Sequence, residues 1–163
     1  MKNFICILLI FVLSVSLVGC SNNEKQDELL KYSNDIVSKL EPIEDAFNKS
    51  YKSVTGENYI DDETTYTEFT ENTIVLAREL SDKALDFANE INDEEIMEVH
   101  RIYINYASNQ LNAINLMITA IENKDREMVS TANEKLNEAN NYALDYKTKI
   151  KSLVKKYDLE ILD

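Results

Sequence analysis

His100 is the chain's single histidine and the first side chain to weigh for acid–base or ligand chemistry. It falls on an apolar helical seam with Met97, Ile104, Ala107 and Leu111, so a hydrogen-bonded core histidine is the plain expectation. A di-iron bundle takes its metals on Glu-x-x-His pairs. Met97 fills the position three residues before His100, so that pairing is missing. Carboxyl groups are abundant, with 30 Asp and Glu. A general acid needs a desolvated carboxyl with a displaced pKa. The spacing puts none of them in an apolar seam, so they read as solvated faces. Gly-x-Ser-x-Gly, His-Glu-x-x-His, phosphate-loop and calcium-loop patterns do not occur. Two cysteines, Cys6 and Cys20, are too few for a disulfide scaffold or a cysteine-rich metal site. The expectation is a non-enzymatic chain with no catalytic residue, no metal and no cofactor.

Composition narrows the partners. The 163 residues suit one domain, and 17 Lys and Arg against the 30 acids leave a formal charge of −13. Such a chain repels phosphate backbones, which excludes nucleic acid as the expected partner. Two Gly and one Pro argue against turn-rich β sandwiches and Gly-cradled nucleotide sites. With 44% apolar residues, the chain can still build a core.

The first twenty residues differ from the rest. Lys2 is the sole charge, and Phe4 to Val18 is almost wholly apolar. That run is shorter than the roughly 18 residues a membrane span needs, and it ends in small residues, as a secretory signal does. Its last four residues, Leu17-Val18-Gly19-Cys20, resemble the lipobox of bacterial lipoproteins. The resemblance implies cleavage between Gly19 and Cys20, a diacylglyceryl group on the Cys20 sulfur, and Cys20 as the new N-terminus. Two acyl chains anchor stably where one binds reversibly. The expected organisation is a signal peptide at 1–19, a lipidated tether at 20–24 and a helical domain at 25–163. That places the chain on the extracytoplasmic face of a cell membrane. Cys6 would leave with the leader, so the domain would be held by its core alone.

The remainder reads as all-α, four long helices. The first runs from about residue 24 to 54 on Leu29, Ile36, Leu40, Ile43, Phe47 and Val54, with Ser33 and Ser50 in polar slots. Pro42 should kink or split it. Thr55-Gly56-Glu57-Asn58 is the clearest loop. The second helix, 62 to 91, carries Tyr66, Phe69, Leu76, Leu80, Ala84, Phe87 and Ile91. Thr65 with Glu68, and Asn92 with Glu95, fit capping boxes. The third helix runs to about 122 on the His100 seam, widened by Val99, Tyr103, Tyr106, Ala113, Met117 and Ala120. After Asn123-Lys124-Asp125 the fourth follows Val129, Ala132, Leu136, Ala139, Ala143, Tyr146, Ile150, Leu153 and Tyr157. Short connections favour an up-down-up-down four-helix bundle. An extended coiled coil completed by dimerisation is the alternative, and the oligomeric state stays open.

Surface residues offer a weak pointer to binding. The 18 asparagines include a row at Asn105, Asn109 and Asn112, and another at Asn133, Asn137 and Asn140. Amides can hydrogen-bond a sugar or peptide without desolvating charge. Codon bias is the plainer explanation, since Lys outnumbers Arg 14 to 3. Ile102 and Leu116 flank the first row as exposed apolar positions. The lysines late in the fourth helix match its dipole, as the acids at helix starts do. The functional expectation is a tethered module presenting a helical face to a protein, a phage or toxin component, or a cell-wall polymer. A ligand-free spacer and a small-ligand receptor or enzyme are the alternatives.

Overall fold

The computed structural model describes residues 12–14 and 23–162, with side-chain surroundings given from 24 to 159. Gly19 and Cys20, the expected cleavage and lipidation site, lie outside the described residues. The domain is all-helical, built of four helices.

Helix α1 spans 23–53 as one rod made of Asn23–Lys31, a wide π turn at Tyr32–Val37, and Ser38–Ser53. Pro42 therefore does not split it, and the departure from α geometry falls one turn earlier. Leu29, Ile36, Leu40, Phe47 and Val54 are buried as expected, and Ser33 and Ser50 are buried polar residues. Ile43 is half-buried, and Glu44 is buried beside it. The two flank the Leu40–Phe47 line, roughly 100° apart around the axis. The flank that meets the third helix carries Glu44.

Helix α2 spans 62–90, with a second π turn at Phe69–Thr73 and a tight last turn at Ala88–Glu90. Its N-cap is Asp61, whose carboxylate accepts from the Thr64 N–H at 2.7 Å. Thr65 is not the cap. It sits buried in the first turn, donating to the Val54 and Asp61 carbonyls. A π turn holds one residue more than an α turn, so it moves the buried face along the sequence. Ile74 and Ala77 consequently point inward, and Tyr66, Leu76 and Ile91 are half-buried.

Helix α3 (Glu94–Asn123) starts at Asp93, not Asn92; the Asp93 carboxylate accepts from the Glu95 and Ile96 N–H groups. The row expected to widen its apolar face is the deeper one. Val99, Tyr103, Tyr106, Ala113 and Ala120 are buried, while Met97, Ile104, Leu111, Ile118 and Ile121 are half-buried. Lys124 adopts a left-handed conformation at φ 53° to end α3, and Asp125 caps α4 (Arg126–Lys156). On α4, Ala132, Ala139, Ala143, Tyr146, Ile150, Leu153 and Tyr157 are buried.

α3 packs along most of α4, α2 packs on α3, and α1 on α2. Side-chain contacts give the directions. Glu95 at the start of α3 meets Lys156 and Tyr157 at the end of α4. Tyr66 near the start of α2 meets Glu122 near the end of α3. Gln26 in the first turn of α1 donates to the Tyr157 carbonyl at 2.7 Å. One large apolar cluster fills the interior from Leu29 to Leu159, and a smaller one around Phe47, Phe69 and Ile114 fills the other end. A three-rung antiparallel ladder between β1 (Val12–Ser14) and β2 (Glu160–Leu162) was not anticipated from the sequence.

Two substitutions separate the inner line of α4 from its flank. Leu136 is half-buried, so the carboxylate of Leu136→Asp can turn to water and should lower stability modestly, by about 1–2 kcal/mol. Ala139 is 1% exposed, and Ala139→Asp strands an unpaired charge, which should unfold the domain. Circular dichroism melts of the two variants provide the check.

Candidate functional site

The chemistry-bearing side chains meet in a buried polar layer between α1, α3 and α4. His100 is wholly buried. The Ala88 N–H, where α2 tightens into its last turn, goes to the Leu85 and Asp86 carbonyls, and the Ala84 carbonyl takes His100 Nε2 at 2.7 Å. A carbonyl can only accept, so Nε2 carries the proton. Burial holds the imidazole below its ordinary pKa, so it is neutral and Nδ1 is an acceptor. Tyr32 of α1 stands 3.1 Å from Nδ1 and must donate to it. Tyr146 of α4 lies 3.1 Å from the Tyr32 oxygen and must donate in turn. One tautomer thus orders a chain running from Tyr146 through Tyr32 and His100 to the α2 backbone. Burial and the neighbouring Tyr146 push the Tyr32 phenol well above its usual range.

The second cluster centres on a residue that the spacing did not flag. Glu44 is 2% exposed, and both of its oxygens are taken by tyrosines of α3. Tyr103 donates to Oε2 at 2.8 Å and Tyr106 to Oε1 at 2.7 Å. This corrects the expectation that no carboxylate enters the interior. Burial pushes Glu44 up to about 7, with Asp45 and Glu41 adding to the rise and the two tyrosine hydrogen bonds opposing it. Burial, and then the facing Glu44, raise the Tyr103 phenol well above normal. Tyr103 also sets its ring edge-on to Tyr146 at 5.2 Å, which joins the two clusters.

Further polar contacts tie the helices at both ends. Ser50 bridges α1 to Glu68 and Thr73 of α2. Lys25 pairs with the buried Asp93, and Lys156 with Glu95 at 2.7 Å. Lys156 and Tyr157 hydrogen bonds lower the Glu95 carboxyl. Gln110 Oε1 is a buried atom without a hydrogen-bond partner.

The layer therefore has acid–base groups but presents them to one another rather than to solvent. His100, Tyr103, Tyr106 and Tyr146 are all buried, and their hydrogen bonds tie the helices to one another. A shallow cleft touches its edge at Tyr32, bordered by Glu28, Asp35, Ile91 and Ile96. Among the described residues, no three His, Cys, Asp or Glu gather as metal ligands.

The asparagine rows lie on the outside. Asn105, Asn112, Asn133 and Asn137 are exposed, and Asn109 and Asn140 are half-buried. Asn109 spends its amide on the Asn105 carbonyl at 2.8 Å, within its own helix. Ile102 is half-buried and packs on the core, and Leu116 is half-buried, so neither is the exposed apolar flank expected. Compared with known proteins, the chain matches no family model, no curated protein and no solved structure.

Proposed function

We propose that the chain is a lipoprotein anchored through Cys20 to the extracytoplasmic face of a cell membrane, with a non-enzymatic binding or scaffold domain. The observation that carries the anchor is the Leu17-Val18-Gly19-Cys20 signature, which ends three residues before α1 begins. Among the described residues, no helix is long and apolar enough to cross a membrane. Cleavage after Gly19 removes β1 and leaves the helical core intact.

The domain is best read as an up-down-up-down four-helix bundle. Support comes from the opposed pairs Glu95–Lys156, Tyr66–Glu122 and Gln26–Tyr157, and from a core that closes within one chain. A self-completed core favours the single bundle over the dimerised coiled coil. Filling around His100 and the α3 tyrosines favours a partner-binding surface over a buried substrate site. The start of α1 and the end of α4 share one end, so a tether at Cys20 would stand the bundle on the membrane.

Cys20→Ala tests the anchor. The variant should lose acyl labelling by an alkyne fatty acid and leave the membrane fraction, while keeping its helical melt. A variant found in membranes with the leader removed would refute lipid anchoring.

A further inference from the structure

The α1–α2 loop holds two large apolar side chains in water. Ile60 is 74% exposed and Tyr59 is 52% exposed. The loop is not slack. Gly56 takes φ 63°, where a side chain would be strained, and Asn58 Nδ2 donates to the Lys52 carbonyl at 2.9 Å. The Tyr59 hydroxyl donates to Asp62 at 2.8 Å, and Asp61 caps α2. These bonds hold the Tyr59 ring outward and tie down the loop on both sides of Ile60, so a partner has less to order. Four exposed acids, Glu57, Asp61, Asp62 and Glu63, surround the pair. The nearby α3–α4 turn, tied to α2 by Tyr66–Glu122, adds Glu122, Asp125 and Glu127 against Lys124 and Arg126. The tip therefore joins an apolar point to a net negative rim. That pattern rejects anionic lipid and fits an apolar recess bordered by Lys and Arg. The loop also lies a full rod, about 45 Å, from the start of α1.

We propose that Tyr59 and Ile60 form a docking tip for a cationic protein segment, with Ile60 entering the recess and the surrounding acids pairing with its basic border. The proposal rests on the binding-module reading but not on the lipid anchor. It replaces the asparagine rows with the tip as the contact surface.

The test uses the full chain in nonionic detergent and two synthetic amphipathic peptides of equal length, one Lys/Leu and one Glu/Leu. Amide shifts on adding the Lys/Leu peptide should concentrate at residues 55–63. Tyr59→Ser with Ile60→Ser should weaken binding about tenfold, and Ile60→Ser alone should give part of that loss. Glu57→Gln with Glu63→Gln, which spares the cap, should weaken binding and flatten its salt dependence. Val75→Ser and Leu144→Ser, exposed to a similar degree, should change nothing. Equal losses in those controls would overturn the proposal. So would shifts spread over the acidic surface, no Lys/Leu binding, equal Glu/Leu binding, or Ile60-dependent binding to anionic vesicles. In cells, crosslinks to a partner from Asn105 with none from Ile60 would overturn the tip and leave the binding-module reading standing.

Discussion

At pH 8, Glu44→Gln should unfold at a higher urea concentration than the wild type, by about 2–3 kcal/mol in stability. Its carboxyl is raised from the ordinary value of 4.5 to about 7 in the folded state, chiefly by burial. Between those two values the folded protein holds a proton that the unfolded chain has released. Stability is therefore fully present below about pH 4.5 and falls as pH rises to about 7. The shift corresponds to about 3 kcal/mol. A glutamine can accept from one tyrosine and donate to the other, so it keeps both contacts and carries no charge. Its advantage should vanish at pH 4.5, where the wild-type carboxyl is already neutral. Glu44→Ala should behave differently, losing about 3–5 kcal/mol at pH 4.5. It leaves the Tyr103 and Tyr106 hydroxyls without their acceptor and opens a void. Urea midpoints at pH 4.5, 6 and 8 decide it. A stability difference between wild type and Glu44→Gln that does not change with pH would show that Glu44 stays ionised in the core.

The contrast between Glu44 and the rest of α1 shows what the sequence made legible. Leu29, Ile36, Leu40 and Phe47 are interior because apolar residues at three- and four-residue steps have one low-energy place to go. The same logic located His100, whose burial follows from its helical phase. Glu44 lay hidden because its acceptor role depends on α3. A carboxylate enters a core where another element brings hydroxyls to meet it, and Tyr103 and Tyr106 stand 59 and 62 residues away. Tyrosine spacing on α3 is visible in the sequence, but by itself it signals apolar width and not a pair of donors. The π turn at Phe69–Thr73 was hidden for another reason. It moves the buried face from Leu76 to Ala77, and a fixed 3.6-residue repeat cannot represent an extra residue in one turn.

The polar layer also bears on specificity. Four helices with apolar stripes can pack in several rotations, and hydrogen bonds with fixed partners distinguish among them. Tyr32 is the hinge of this selection, since it links α1 to both His100 and Tyr146. Sliding α1 by one turn would separate the Tyr32 hydroxyl from His100 and Glu44 from its tyrosines together. The burial of a carboxylate thus has a structural account without any substrate.

His100→Phe should lower stability at pH 7.5 by about 2–4 kcal/mol. Phenylalanine preserves the ring but removes the Nε2–H from the Ala84 carbonyl and the acceptor from the Tyr32 hydroxyl, each buried. The cost has a pH signature opposite to that of Glu44. Burial lowers the folded pKa of His100 below the ordinary value of 6.5, so the unfolded chain takes up a proton first as pH falls. The stability held by neutral His100 is present above about pH 6.5 and lost as pH drops toward the folded value. Protonation would also turn Nδ1 into a donor facing the Tyr32 hydroxyl, forcing the Tyr146–Tyr32 chain to reverse. The two groups therefore tilt the stability curve in opposite senses in the window just below about pH 6.5. His100→Phe should leave a curve that falls with rising pH across that window, governed by Glu44. Glu44→Gln should leave one that rises with pH, governed by His100. Parallel curves for wild type and His100→Phe would mean that the imidazole titrates at its ordinary value in the folded domain, and that burial does not govern its charge.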